Sequence, residues 1–194
     1  MIRFSRSDSK CKGCPFEEQH KVWGEGRLFL SEQQNKDHVI FLGEAPGKEE
    51  DKHGRPFIGE SGKLLNLALE TVGIRREDNW VTNTISCRPP NNNYNDSSTV
   101  NARSRCLPGM MQEVDTLRKN GYSIVAPLGA NACRVLGIQT PMKNVVGTVL
   151  EGLGLKIIPI YHPSYIIRNG GSKGRLWETW LNGFYMIKKE MLNG

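Results

Sequence analysis

Short apolar runs alternate with amphipathic segments along most of this chain. Residues 38–42, 79–85 and 123–128 are apolar and rich in β-branched or aromatic residues, which predicts strands. Residues 145–160 predict two more strands joined by a glycine-rich turn. Apolar positions spaced by three and four predict helices over residues 60–72, 107–120, 130–136 and 175–192. Strands that alternate with helices predict an α/β layered domain with a mostly parallel sheet.

Three polar stretches interrupt this pattern. Residues 1–37 read as loop-like, and residues 43–59 contain four glycines and two prolines. Residues 88–105 are rich in Asn, Ser and Pro, and they form the longest predicted loop. Long loops in compact domains are often functional. The sequence shows no internal repeat and no linker, so one domain is expected over residues 1–194.

The bulk properties narrow the class of protein. A chain of 194 residues is long enough for one domain with a hydrophobic core. It has neither a secretory signal nor an apolar run of about 20 residues, so we expect a cytosolic protein with no membrane partner. The net charge of +6 indicates a polyanionic partner, most simply nucleic acid.

Four cysteines have a spacing that is typical of metal ligands. Cys11 and Cys14 form a C-x2-C pair, while Cys87 and Cys106 bracket the long loop. In a reducing compartment these thiols favour metal or cluster ligation over disulfides. Zinc and iron–sulfur clusters both accept four thiolates, and a set of unliganded thiols is the alternative. Cys133 lies in a predicted helix and is expected to be a small core residue.

Polar candidates for chemistry follow the predicted strands. Glu44 either holds a water or forms a cap or salt bridge, and the Ala45 N–H beside it is available to a ligand. His162 either donates to a developing oxyanion or is structural. The amide of Asn83 suits the edge of a nucleobase, although a hydrogen-bonded core asparagine is the alternative. Phe57 is either a stacking platform or part of the core.

Three sequence blocks carry a resemblance to a known family. They are GEAPGKEEDKHGRPFIGESGKLLN, VTNTISCRPP and HPSYIIRN, and they occur in this order. Together with the order of the cysteines they resemble family 4 of the uracil-DNA glycosylase superfamily, the iron–sulfur type. The resemblance covers roughly residues 11–168. It implies a three-layer α/β/α fold around a central four-stranded, mostly parallel sheet, and a [4Fe-4S] cluster in an N-terminal segment.

The resemblance also implies the reaction and its residues. A monomeric, monofunctional enzyme of base excision repair would hydrolyse the N-glycosidic bond of uracil in single- or double-stranded DNA and leave an abasic site. Glu44 and His162 would be catalytic. The base would be bound by Gly43, Glu44, Ala45, Phe57, Asn83 and His162. DNA would be contacted by Ser164, Tyr165, Ile166, Ile167 and Arg168. The cluster would be held by Cys11, Cys14, Cys87 and Cys106.

Two departures from the family pattern leave other functions open. The loop 91–105 is richer in Asn and Ser than is usual in the family and lacks its usual prolines. Ser86 stands where a basic residue is common before the cysteine. One alternative is that the same scaffold excises another deaminated or modified base. The other is an iron–sulfur DNA-binding module without catalysis.

Overall fold

The computed structural model describes residues 2–6, 11–28 and 38–193. Within these residues, seven strands form one sheet. The strands are β1 (Ile2–Phe4), β2 (Gly24–Gly26), β3 (His38–Gly43), β4 (Trp80–Asn83), β5 (Tyr122–Pro127), β6 (Leu150–Gly152) and β7 (Leu155–Ile157). Their order across the sheet is β1-β2-β4-β3-β5-β7-β6.

The centre of the sheet is parallel and its edges are antiparallel. Strands β4, β3, β5 and β7 run in parallel, as expected for the central four strands. The sheet has seven strands and not four, because β1 and β2 extend one edge and β6 extends the other, all in antiparallel pairs. The predicted α/β architecture is therefore confirmed, with short additions at both edges.

Helices cover both faces of the central strands. Val39 and Phe41 of β3 belong to one core cluster, whereas Ile40 and Leu42 belong to another. Because successive side chains of a strand point to opposite faces, β3 is buried on both sides. The helices are α1 (Lys48–His53), α2 (Glu60–Val72), α3 (Ser97–Lys119), α4 (Ala130–Val135), α5 (Met142–Val145), α6 (Pro163–Arg168) and α7 (Trp177–Leu192). Within the described residues, no helix is both long and apolar enough to cross a membrane.

The two faces are covered by different helices. Leu65 and Leu69 of α2 pack with Trp180 and Phe184 of α7 over one face. On the other face α3 supplies a buried stripe that includes Met110. The result is the expected three-layer α/β/α arrangement.

Helix α3 corrects the expected long loop. The helix begins at Ser97 and not at 107, so only the first part of residues 88–105 is irregular. Asp96 caps it, since its carboxylate accepts the backbone N–H of Ser98 at 3.0 Å. Pro108 lies inside the helix, where it costs one backbone hydrogen bond. Burial of Ala102 and Met110 on the same helix offsets that cost.

Two other polar stretches contain regular structure. Strands β1 and β2 lie in the region expected to be loop-like, and helix α1 lies within residues 43–59. Each is six residues or shorter, which is too short for a periodic pattern to reveal. Strands β1 and β2 form through pairing with each other and with β4, which is distant in sequence. Residues 1, 7–10, 29–37 and 194 lie outside the described residues.

Candidate active site

The carboxyl ends of the parallel strands meet at one edge of the sheet, where a cleft of about 540 Å³ opens. Gly43, the last residue of β3, pairs in register with Asn83, the last residue of β4. Ligands of open α/β sheets bind at this edge. The cleft brings together side chains from four separated segments, among them Glu44, Ala45, Phe57, Asn83, His162 and Arg168.

Gly43 allows two of these side chains to approach each other. A Cβ atom at position 43 would lie 2.4 Å from Oδ1 of Asn83 and 2.4 Å from Cζ of Phe57. Any side chain there would therefore displace the asparagine, the aromatic ring or both. Gly43 does not line the cleft, but its lack of a side chain gives the cleft its shape.

Asn83 presents a buried acceptor without a partner. The residue is 3% exposed, and its Oδ1 atom makes no hydrogen bond. A buried polar atom without a partner carries a desolvation penalty of about 1–3 kcal/mol. An N–H group of a ligand in the cleft would remove that penalty, so this atom points to a ligand that donates a hydrogen bond.

Phe57 is held in a strained backbone conformation. Its φ angle is +52°, in the left-handed region that bulky residues rarely adopt. The guanidinium of Arg76 donates to the carbonyl oxygens of Phe57 at 3.0 Å and Pro56 at 2.7 Å. The ring centroid lies 6.3 Å from that of His162. Phe57 also belongs to the main core cluster, so packing and the Arg76 hydrogen bonds together hold a flat apolar ring beside the imidazole.

His162 begins helix α6 with a defined tautomer. Its Nδ1 atom accepts the backbone N–H of Ser164 at 3.2 Å and lies 2.8 Å from the Ser164 hydroxyl. Because a backbone N–H can only donate, Nδ1 carries no proton and the hydrogen of the neutral ring is on Nε2. Burial lowers the pKa of His162 to about 4, and the positive charge of Arg168 adds to that effect. At neutral pH the ring is an uncharged donor.

Glu44 places a carboxylate in the cleft at the end of β3. Burial raises its pKa above the ordinary value of 4.5, whereas a hydrogen bond from the Asn131 side chain and the charges of nearby arginines oppose that rise. Its backbone is also fixed, since its carbonyl oxygen accepts the Thr84 hydroxyl at 2.6 Å and the Ile85 N–H at 3.4 Å. The carboxylate is thus held half-buried on an anchored loop.

The irregular segment after β4 packs behind Glu44. Tyr94 is buried, and its hydroxyl lies 2.7 Å from that of Thr84. Since the Thr84 hydroxyl donates to Glu44, Tyr94 donates to Thr84. The guanidinium of Arg103 lies 5.0 Å above the Tyr94 ring. Sequence reasoning identified this segment as unusual but gave none of these residues a place beside Glu44.

Glu50 joins the two loops of the cleft, and sequence reasoning missed it. One carboxylate oxygen accepts the backbone N–H groups of Ile58 at 2.9 Å and Gly59 at 2.7 Å, and the other accepts that of Gly47 at 3.1 Å. Glu50 lies in a charged run that resembles a solvated surface. Its position three residues into α1, after a glycine-rich turn, was the available signal.

Helix α6 forms one rim of the cleft. Tyr165 and Ile167 are exposed, with relative exposures of 40% and 39%. Ile166 is fully buried in the core, so the expectation that its side chain contacts DNA is not retained. Arg168 is exposed, and Ser164 hydrogen-bonds to His162.

A second, small cavity lies among the four expected ligand cysteines. Cys11, Cys14, Cys87 and Cys106 all line it. Burial raises the pKa of the Cys87 thiol to about 12, and the other three thiols add to the increase. In the described residues, no three Cys, His, Asp or Glu side chains are arranged to hold a metal ion. Cys133 is buried in α4 beside Met142, which confirms it as a core residue.

Arg6 lies between the two cavities. It lines the cysteine cavity, and its guanidinium donates to the backbone oxygens of Asn83 at 2.5 Å and Thr84 at 3.2 Å. It also forms a buried ion pair of 2.9 Å with Glu113, which in turn accepts the indole N–H of Trp80 at 2.7 Å. A sequence offers no signal for this group, because its members lie far apart along the chain.

Comparison with known proteins identifies the family. The Uracil DNA glycosylase superfamily profile matches residues 31–182. The type-4 uracil-DNA glycosylase of Thermotoga maritima is 36% identical over 171 residues, covering 86% of this chain and 82% of that protein. That of Pyrobaculum aerophilum is 34% identical over 172 residues, with coverages of 84% and 83%. The chain belongs to the uracil-DNA glycosylase superfamily, and to its type-4 group.

Proposed function

We propose that the protein is a monofunctional glycosylase that hydrolyses the N-glycosidic bond of uracil in DNA and leaves an abasic site for base excision repair. The observation that carries the proposal is the unpartnered Oδ1 of Asn83, buried beside Phe57 and His162 in one cleft. The N3–H of uracil is the donor that this acceptor lacks. The names of the type-4 relatives support the same substrate.

The base would be held on its face and on two edges. A base inside a duplex must first be flipped out of the stack, at a cost of a few kcal/mol. Phe57 then stacks on the base while Asn83 bonds to its pairing edge. Nε2–H of His162 donates to the O2 carbonyl, where negative charge grows as the base departs. One such donor contributes about 2.7–4 kcal/mol in other enzymes.

Glu44 would serve the sugar side of the scissile bond. As the bond from C1′ to N1 breaks, its electron pair leaves with the base and positive charge builds on the sugar. The Glu44 carboxylate positions a water, whose oxygen forms the new bond to C1′. The proton of that water passes to the carboxylate and then to solvent. A negative carboxylate also stabilises the positive sugar.

Helix α6 would hold the DNA. Tyr165 and Ile167 are apolar and exposed at the rim, where they could fill the space that the flipped base leaves. Arg168 and Ser164 line the cleft and would contact phosphate oxygens of the bound strand. The net charge of +6 favours binding to the DNA backbone.

The four cysteines would hold a [4Fe-4S] cluster. All four line one cavity, and four thiolates are the usual ligand set of such a cluster. The Sγ atom of Cys14 already accepts the backbone N–H of Phe16 at 3.5 Å, a contact that suits a thiolate ligand. When bound, the cluster supplies iron–sulfur bonds that tie the N-terminal segment to α3. We assign it no step in base release.

The remaining proposals concern the domain organisation, the oligomeric state and the cellular location of the protein. We propose that residues 1–194 form one domain that acts as a monomer. The single sheet through the described residues supports the first statement. A DNA substrate and thiolate ligands, which need reducing surroundings, support a cytoplasmic location.

The test is release of uracil from defined DNA. Cluster-loaded protein should produce alkali-labile sites in single- and double-stranded oligonucleotides that contain one uracil, and none in matched thymine controls. Glu44→Gln keeps the shape of the side chain but removes the charge, so the single-turnover rate should fall about 10²–10⁴-fold. Folding should be unchanged by circular dichroism.

Two results would overturn the proposal. Folded, iron-loaded wild-type protein that leaves uracil DNA intact would reject the activity. Preference for another modified base over uracil, in a panel of duplexes, would reject the substrate and favour a different excised base.

A further inference from the structure

Thr84 is held firmly behind the cleft by hydrogen bonds to both sides of its backbone. It follows Asn83, the last residue of β4, and is 1% exposed. Its backbone N–H donates to the carbonyl oxygen of Gly43 at 2.9 Å, and its own carbonyl oxygen accepts Nη1–H of Arg6 at 3.2 Å. Because the backbone is fixed in this way, the side-chain hydroxyl of Thr84 has a defined position.

The Thr84 hydroxyl joins the two chain segments where the backbone pairing of β3 and β4 ends. The register of these parallel strands stops at Gly43 and Asn83. One residue further along, the carbonyl oxygen of Glu44 accepts the N–H of Ile85 at 3.4 Å, which is long for a hydrogen bond. The same oxygen accepts the Thr84 hydroxyl at 2.6 Å. The hydroxyl therefore makes the shorter of the two bonds that hold the Glu44 peptide.

Tyr94 orients that hydroxyl from within the unusual segment 91–105. The two hydroxyl oxygens lie 2.7 Å apart, and Thr84 gives its one hydrogen to Glu44, so Tyr94 is the donor. Tyr94 is 4% exposed, and the guanidinium of Arg103 on α3 lies 5.0 Å from its ring centroid. Burial also raises the pKa of Tyr94, so its hydroxyl keeps the proton that it donates. A side chain buried to this extent is placed to support the loop and not to contact DNA.

We propose that Tyr94 and Thr84 are positioning residues whose two hydroxyl groups fix the Glu44 peptide and thereby the place of its carboxylate in the cleft. This inference rests on the proposed role of Glu44. Neither Tyr94 nor Thr84 lines the cleft, so both act through the loop that carries the carboxylate. The unusual segment after β4 thus contributes to catalysis without touching the substrate.

Variants of nearly equal shape isolate the two hydroxyl groups. Thr84→Val and Tyr94→Phe each remove one hydroxyl, whereas Thr84→Ser keeps it. Single-turnover rates on a single-stranded uracil oligonucleotide, measured over a range of enzyme concentrations, separate the maximal rate from half-saturation. Thr84→Val should lower the maximal rate about tenfold with half-saturation unchanged, because the carboxylate shifts while the base contacts remain. Thr84→Ser should recover most of the rate. Tyr94→Phe should cost about threefold, because Thr84 keeps its bond to Glu44.

A second background tests whether the hydroxyl groups act through Glu44. Combined with Glu44→Gln, Thr84→Val should cause little further loss of rate, because no carboxylate is left to position. Tyr122→Phe is the matched control, since its buried hydroxyl also donates to a backbone oxygen, that of Arg27. Tyr122 begins β5, at the end of the sheet opposite to the cleft. This variant should lose stability in urea unfolding without losing rate.

The outcomes distinguish this inference from the proposed function. A near-wild-type rate for Thr84→Val, or the same loss of rate with and without Glu44→Gln, would overturn the positioning role and leave the proposed activity intact. An active Glu44→Gln enzyme would overturn the role of Glu44 itself. Should Thr84→Val fail to fold, Tyr94→Phe decides the question, because it keeps the buried ring. An unchanged rate in Tyr94→Phe, with a loss of stability like that of Tyr122→Phe, rejects the inference.

Discussion

The two cavities of this protein are built in different ways. The cleft is wide and lined by both polar and apolar side chains, and the parallel strands create it because their carboxyl ends meet at one edge. The cysteine cavity is small and apolar, and three separate segments supply its thiols. The sheet alone thus builds the cleft, whereas the cysteine cavity collects four thiols, and burial there raises the pKa of the Cys87 thiol to about 12.

The difference assigns separate tasks to the two regions. Sheet geometry places the residues that meet the base, so their arrangement follows from the core of the fold. The thiols come from three separate segments: the turn at residues 11–14, the loop that follows β4, and helix α3. Arg6 links the two regions, because it lines one cavity and bonds to the backbone of Asn83 at the other.

The largest expected effect comes from removing a thiol. Cys87→Ala should give colourless protein without iron, and the free energy of unfolding should fall by the whole binding contribution of the cluster. Iron and sulfide analysis with urea unfolding measures both. Cys133→Ala, a buried cysteine outside the cavity, should keep its iron and lose about 1 kcal/mol. Equal losses in the two variants would contradict the ligand assignment.

The next effect tests the link between the two regions. Arg6→Met leaves Glu113 buried without its partner, so the free energy of unfolding should fall by about 3–5 kcal/mol. The uracil-release rate should fall as well, because the Asn83 backbone loses a donor. Urea unfolding and single-turnover assays check the two effects.

Two companion variants sharpen this test. Arg6→Met combined with Glu113→Met should be more stable than Arg6→Met alone, since no buried charge is then left unpaired. Arg3→Met, at an exposed position of β1, should change neither property. A change in stability without any change in rate would show that Arg6 supports only the cysteine region.

The smallest effect is confined to the cleft and depends on pH. Burial lowers the pKa of His162 from 6.5 to about 4, so the unfolded chain binds a proton more readily than the folded protein between these values. The stability from the neutral ring is fully present above pH 6.5 and is lost as the pH falls through about 4. The difference in unfolding free energy between wild type and His162→Gln should shrink over this window, as measured by urea unfolding. A constant difference would contradict a buried neutral ring.

Much of the fold was predictable because its central elements are long and periodic. Strand β3 and helices α2 and α7 follow their apolar patterns closely. Helix α3 was predicted ten residues too short, because Asn and Ser near its start are typical of loops and the Asp96 cap was not recognised. Strands β1 and β2 depend on pairing with distant residues, which a local pattern does not contain.

The candidate site was predictable only where residues lie in recognisable motifs. Glu44, Phe57, Asn83 and His162 were each identified and do line one cleft. Their roles remain predictions. Arg6 acts through contacts with partners far along the chain, so no spacing in the sequence could reveal it.

The conformation of Phe57 has a consequence for how this protein can evolve. A left-handed backbone at a bulky residue costs about 1–3 kcal/mol, and glycine would adopt the same φ angle without that cost. Phe57 is also 5% exposed and packs in the same core cluster as Leu65 and Ile166, so loss of its ring would cost about 3–5 kcal/mol. Packing therefore outweighs the backbone cost, and libraries screened for stability without substrate should keep a large apolar side chain at this position.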